Sequence, residues 1–292
     1  MRTPDEAPVV VGFNGTAAGL AAIRLGAREA VARDLELRVV HAFTWPRRHG
    51  VDYPSARHDA TALVDAAVAA AKRSTPRVRV SGRLLDGLPE QVLLRLSRAA
   101  TLIVLGDDDL AGAPRLPSAS VRVQIVARSW CPVVVARGLR PPTGPLLVAV
   151  DGSAASLLAV RHAAAEARWR GVAVEVTHVL DRSGPAAEAA GRRLLAAAVA
   201  AVTELPAPRT RLLTGDPATT LARASRRARM VLLGARGAGG AVLLGEVAEE
   251  LLRRCACPTV FVHAGTAVTV TSQRALVNTR SVVPPCGGTV PV

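Results

Sequence analysis

Short apolar runs alternate with longer, alanine-rich stretches of helical periodicity along the whole chain, and the alternation repeats. Val9-Val10-Val11 leads through Gly12-Phe13 into Asn14-Gly15-Thr16, and Leu147-Val148-Ala149-Val150 leads into Asp151-Gly152-Ser153. Each is followed by an Ala-rich segment with apolar residues at helical spacing, then by a β-like run ending in histidine, Leu37 to His41 and Val174 to His178. The spacing from Asn14 to His41 equals that from Asp151 to His178. Further on, Leu102-Ile103-Val104-Leu105-Gly106 matches Met230-Val231-Leu232-Leu233-Gly234. Both copies close on a Cys-Pro signature, Cys131-Pro132-Val133-Val134-Val135 and Cys257-Pro258-Thr259-Val260-Phe261-Val262. Four features recurring in the same order mark an internal repeat.

Each copy reads as five strands with four intervening helices. Strands that are apolar throughout, rather than at every second position, imply a parallel sheet covered by helices on both faces. Ser153 is placed to cap the first helix of the second copy and Gly171 to end it. The last helix opens on Glu246 and Glu249 and ends on Arg253-Arg254, in keeping with the helix dipole. The organisation that follows is a first domain over 1–137, a linker over 138–145 around Pro141-Pro142, a second domain over 146–264 and a tail over 265–292. The tail has no repeat partner and is expected to be a flexible extension, with Thr266 to Thr271 able to add an edge strand.

Composition narrows the core. Half of the 292 residues are hydrophobic but only 2% are aromatic, so the interior must be built from Ala, Val and Leu. The formal net charge is +14, a balance that suits an anionic partner, yet the arginines are spread along both copies in short groups and Lys72 is the only lysine. A generally basic, solvated surface is therefore favoured over a dedicated nucleic-acid face. The longest strongly apolar stretch, Leu194 to Val202, is about half of a membrane-spanning helix. Asp5 and Glu6 stand where a secretion signal needs positive charge, so a cytoplasmic location with reduced cysteines is expected.

In an open parallel sheet, ligands sit at the carboxyl ends of strands where strand order reverses. That points to the loops after the first and fourth strands of each copy. In the second copy these carry Asp151, able to accept hydrogen bonds from a ribose or a base edge, and the Gly-rich run from Gly234 through Gly237 to Gly245, whose backbone can approach phosphate.

These residues resemble the universal stress protein family, over nearly everything from Pro8 to His263 and in two copies. The resemblance implies tandem five-stranded parallel α/β sandwich domains, Rossmann-like and similar to the adenine nucleotide alpha hydrolases. It also implies pairing through the last strands. In the nucleotide-binding branch the pattern is Gly, two residues, Gly, nine residues, Gly, then Ser or Thr, with an Asp after the first strand, and these residues hold ATP. In the second copy Asp151, Gly234, Gly237 and Gly245 match, and Val179 takes the position whose backbone meets adenine. Only seven residues separate Gly237 from Gly245, however, and Glu246 replaces the hydroxyl residue. A carboxylate about 4 Å from a triphosphate repels it by roughly 1 to 4 kcal/mol, and a bound Mg²⁺ would reverse that sign. In the first copy Ser120 matches, but Asp109 and Ala119 replace two glycines and Asn14 replaces the Asp. The run Asp107-Asp108-Asp109 also sets negative charge where phosphates would lie, so no ATP binding is expected there.

Cys255 and Cys257 lack the further ligands a structural metal site needs, and ordinary packing is the better account. His41 and His178 are expected to be structural or pocket-lining. No Ser-His-Asp arrangement can be placed, because Asp-Gly-Ser after the first strand is a turn and cap signature. The arginines at 226, 227 and 229 and at 253 and 254 read as solvated helix faces without an aromatic platform beside them. The resulting expectation is a non-enzymatic regulator of the stress response. Its nucleotide binding is weak or lost, and its domains form a pseudo-dimer through Cys131 to Ala136 and Cys257 to Val262. Three alternatives stay open: a basic nucleic-acid-associated protein, a protein-interaction module that binds no nucleotide, and a slow ATP hydrolase.

Overall fold

Apolar strand residues set the architecture, because a run such as Val9-Val10-Val11 can be buried completely only where helices cover both faces of a sheet. The computed structural model describes residues 7–45, 53–107, 117–138, 143–203, 208–236 and 243–263. The expected tail strand at Thr266 to Thr271 lies outside them. In the first half β1 (Val9–Gly12), α1 (Ala17–Ala32), β2 (Leu37–Phe43), α2 (Tyr53–Ser74), β3 (Val80–Asp86), α3 (Pro89–Leu96), β4 (Leu102–Gly106), α4 (Val121–Arg128) and β5 (Val133–Ala136) follow in order. The second half repeats them as β6 (Leu146–Ala149), α5 (Ala154–Arg170), β7 (Val174–Leu180), α6 (Pro185–Ala200), β8 (Arg209–Thr214), α7 (Pro217–Ala224), β9 (Met230–Gly234), α8 (Glu246–Arg254) and β10 (Thr259–Val262).

The strands form one ten-stranded sheet in the order β3-β2-β1-β4-β5-β10-β9-β6-β7-β8. All neighbours are parallel except β5 and β10, which meet antiparallel with Val134 opposite Val260. This seam relates the halves by a pseudo-two-fold axis. Alternate strand residues feed two cores. Val9, Val11, Val104 and Val134 pack beneath α1, α2, α5 and α6, whereas Val10, Ile103, Leu105 and Val133 pack beneath α3, α4, α7 and α8. Both cores run across the seam without interruption.

Local signals end the helices as the sequence suggests. Thr16 Oγ accepts from Gly19 N at 3.0 Å and Ser153 Oγ from Ser156 N at 3.2 Å, while Gly171 takes the left-handed conformation after α5 at φ +61°. Two helix ends are capped across the seam. The Arg137 guanidinium donates to the Cys255 carbonyl at 2.8 Å and to the carbonyls of Leu252 and Arg253, at the end of α8. Its repeat counterpart His263 hydrogen-bonds Val126 O near the end of α4. Each half thus satisfies carbonyls that the other leaves over.

On the opposite face, α1 and α5 are joined by a ring of charge. Arg33 pairs with Glu29 one turn before it and with Glu166 of α5; Arg170 pairs with Glu166 at 2.9 Å and with Glu29 at 2.5 Å. Both carboxylates are 1% exposed. Burial alone would push the Glu29 carboxyl up, but the Arg33 and Arg170 guanidiniums outweigh it and hold it at about 2. His162 Nε2 stands 3.5 Å from Glu166, and burial lowers its pKa.

Candidate functional site

The strand order reverses between β1 and β4 and again between β6 and β9, and at each point the carboxyl ends of the strands open into a cleft. In the second half the cleft measures about 230 Å³. Asp151 follows β6, and its Oδ1 accepts from Ser153 N at 3.0 Å, fixing the turn that starts α5. Burial would raise the Asp151 carboxyl, yet the hydrogen bonds from Ser153 prevail and hold it below the ordinary value. Val179, near the end of β7, forms part of the wall. Gly234 ends β9, where a Cβ would come within 2.7 Å of Ala155 Cβ, so a side chain would force α5 away from the strand. Gly245 and Glu246 open α8 beside them, and no side chain caps this helix.

Five of the six residues singled out in the sequence therefore line one cleft: Asp151, Val179, Gly234, Gly245 and Glu246. Gly237 lies outside the described residues. His178 lines the cleft too, its Nδ1 2.8 Å from Val150 O, and this bond ties β7 to the end of β6. Arg236, to which the sequence pattern assigns no role, also lines the cleft, and its guanidinium donates to Ala127 O of the other half at 3.4 Å. The available signal was a lone cation inside the Gly-rich run.

The first-half cleft is larger, about 380 Å³, and lined by Asn14, His41, Leu93, Leu105, Ser120 and Arg122 among others. Asn14 Oδ1 accepts from Thr16 N at 3.3 Å, the same turn Asp151 makes, and from Thr16 Oγ at 2.8 Å, but it carries no charge. His41 Nδ1 is 2.8 Å from Phe13 O, matching His178. Asp107 departs from the picture of three carboxylates facing a phosphate. It is clamped by Arg122 and by Arg137 at 3.2 Å, so its charge is neutralised toward the seam. Asp108 and Asp109 lie outside the described residues.

The sulfurs of Cys255 and Cys257 are buried 3.9 Å apart, and burial pushes the Cys131 thiol up to about 11. Among the described residues no group of three or more His, Cys, Asp or Glu is placed to hold a metal ion, and no helix is long and apolar enough to cross a membrane. Arg253 is not on a solvated face; its side chain is 14% exposed and 3.5 Å from Glu250.

Against known proteins, the model of the universal stress protein family matches residues 7–137 and again 143–263. A universal stress protein of Mycobacterium tuberculosis is 30% identical over 286 residues, spanning 86% of this chain and 95% of that relative. One from Mycolicibacterium smegmatis is 27% identical over 292 residues, spanning 90% and 99%. A crystal structure of a universal stress protein from Archaeoglobus fulgidus covers 89% of this chain and 100% of its own with a TM-score of 0.72; at 16% identity this likeness speaks to the fold.

Proposed function

Since the chain belongs to the universal stress protein family, we propose that it is a regulator of the stress response whose second domain binds an adenine nucleotide weakly and whose first domain binds none. The observation that carries this reading is the convergence of Asp151, Val179, Gly234 and Gly245 on one cleft at a strand-order reversal. Asp151, ionised and fixed by Ser153, is suited to accept hydrogen bonds from ribose hydroxyls. The Val179 backbone would meet the base. Gly234 and Gly245 let backbone amides approach phosphate at the uncapped start of α8. Arg236 adds a cation at the wall of the cleft.

Two features set the weakness. A volume of about 230 Å³ is below the roughly 300–1,000 Å³ usual for small-molecule sites, so base and sugar fill it and the phosphates lie toward its rim. Glu246 would oppose them there, and with Mg²⁺ bound its carboxylate would instead serve as one oxygen ligand. In the first domain Asn14 cannot supply the charge of Asp151, and the Arg122 guanidinium is already engaged by Asp107. The hydroxyl residues beside Asp151 serve the start of α5, Ser153 Oγ accepting from Ser156 N and Ser156 Oγ donating to Ser153 O, which favours a binding role over turnover.

Calorimetry of the full chain with Mg-ATP tests the proposal, alongside Asp151→Ala and Glu246→Ser. Binding by the wild type that Asp151→Ala removes and Glu246→Ser tightens is the expected result. Silence from both the wild type and Glu246→Ser would defeat it and leave a regulator that works through protein contacts alone.

A further inference from the structure

A third and larger cleft, of about 520 Å³, lies away from the carboxyl ends of the strands, lined by Leu94, Arg95, Arg98, Arg128 and Trp130. We infer that it docks single-stranded nucleic acid, with a base stacked on the Trp130 indole and the flanking phosphates held by the three arginines. The inference is independent of the nucleotide site in the second domain.

Trp130 is the most exposed large apolar residue of the described chain, at 56%. It is also firmly held. Its backbone N donates to Ser97 Oγ at 3.1 Å, and Ser97 is itself buried at the end of α3. The ring is thus displayed from a fixed loop. The Arg98 guanidinium lies 5.1 Å from the ring centroid, Arg95 is one turn away on α3, and Arg128 ends α4 with its Nη1 on Gln124 Oε1 at 3.0 Å. None of the described residues lining the cleft is a carboxylate. An aromatic face inside a groove of guanidiniums suits a flexible anionic chain with exposed bases. It does not suit a duplex, whose base faces are hidden.

The pseudo-two-fold axis supplies an internal control. In the second half Ala256 N donates to Ser225 Oγ at 2.8 Å, the same bond that holds Trp130. Around it Arg223, Arg226 and Arg254 occupy the places of Arg95, Arg98 and Arg128. The basic rim is therefore common to both halves, but two things change. Ala256 removes the aromatic platform, and Glu250, in the place of Gln124, pairs with Arg254 at 3.2 Å. The second half keeps the frame while losing the stacking surface and part of the charge. An anionic membrane is the other surface that attracts Trp with Arg. It calls for apolar side chains that insert, however, and here Trp130 sits in a concavity with only the half-buried Leu94 beside it.

The test uses the full chain at low salt and a fluorescently labelled oligothymidylate of about 12 nucleotides, followed by anisotropy. Binding is expected, with Trp130→Ala weakening it about tenfold or more and Trp130→Phe retaining most of it. Arg98→Ala should flatten the log–log salt dependence by about 0.7. Asp151→Ala, which the nucleotide reading expects to lose Mg-ATP, should bind the oligonucleotide as the wild type does. The double variant Ala256→Trp, Glu250→Gln should add a second oligonucleotide per chain. Thermal melting of Trp130→Ala should match the wild type, since the indole is largely exposed. The inference is overturned if no oligonucleotide binds, if Trp130→Ala binds like the wild type, if a duplex of equal length binds as tightly, or if anionic phosphatidylserine vesicles bind where the oligonucleotide does not.

Discussion

The two halves of this chain share a frame and differ in what they display. Thr16 and Ser153 cap equivalent helices, His41 and His178 tie equivalent strands, Ser97 and Ser225 hold equivalent loops, and Glu29–Arg33 faces Glu166–Arg170 across the axis. At positions on or beside the clefts the match fails: Asn14 against Asp151, Ser120 against Glu246, Trp130 against Ala256, Gln124 against Glu250. Residues that hold the fold must satisfy a partner within the protein, so a change on one side leaves a buried group unpaired. Asn14 and Asp151 still hold their turns and Gln124 and Glu250 still engage the arginine one turn on, so these residues keep a local role while the charge and surface they present change.

That contrast can be broken where it is strongest. Val134→Asp places a charge at a position 1% exposed in the middle of the fused sheet, and Val260→Asp does so on the opposing strand. Each should cost at least about 4 kcal/mol, and the two should fall together in thermal melting. A normal melting temperature for either would mean that the halves do not depend on the seam.

Next comes the charge ring, where Glu29→Gln and Glu166→Gln each leave buried guanidiniums underpaired at about 3–5 kcal/mol. Acid should do the same. The Glu29 carboxyl is held at about 2 against an ordinary value of 4.5, so its stabilising effect is complete above pH 4.5 and fades as pH falls toward 2. Melting temperature followed across that window should slope downward with acid in the wild type and less steeply in Glu29→Gln. Identical slopes would rule out Glu29 as the titrating group.

The difference between the two strand-end clefts is sharpened by Asp151→Asn, which copies the first half. It should weaken Mg-ATP binding by about 1.5–3 kcal/mol in calorimetry while leaving melting nearly unchanged. Smallest of all, Thr16→Ala and Ser153→Ala should each lower stability by about 1 kcal/mol in urea denaturation. Equal values would extend the symmetry to the helix caps.

Much of the frame was legible in the sequence because it rests on local signals. The strand runs, the Asn14-to-His41 and Asp151-to-His178 spacing, the Ser153 cap and the Gly171 terminator each act within a few residues or one repeat. The charge ring was not legible. Glu29 with Arg33 and Glu166 with Arg170 look like ordinary pairs one helical turn apart, and only the pairing of β5 with β10 brings α1 and α5 together. Trp130 and Arg128 likewise stand about thirty residues from Arg95 and Arg98, and the packing of α3 beside α4 unites them. Asp107 was misjudged for the same reason: its partners Arg122 and Arg137 come from an element and a strand end further along. The second cleft was legible in part: Asp151 and Gly234 follow strand ends, where the topology of a parallel sheet fixes their meeting place, whereas Val179 and Glu246 could be named only through the family resemblance.

The antiparallel seam has a further consequence for how the molecule behaves on dilution. Two separate chains joined through such strands would part as their concentration fell. Here β5 and β10 belong to one chain, and the connection between Ala136 and Leu146 holds them at an effective concentration in the millimolar range whatever the number of molecules present. The strands left at the rims are β3 and β8, which carry Arg83, Arg209 and Arg211. Charge on these outer strands discourages edge-to-edge growth of the sheet. Fusion therefore turns an assembly step into a folding step, and a scarce protein is as fully formed as an abundant one.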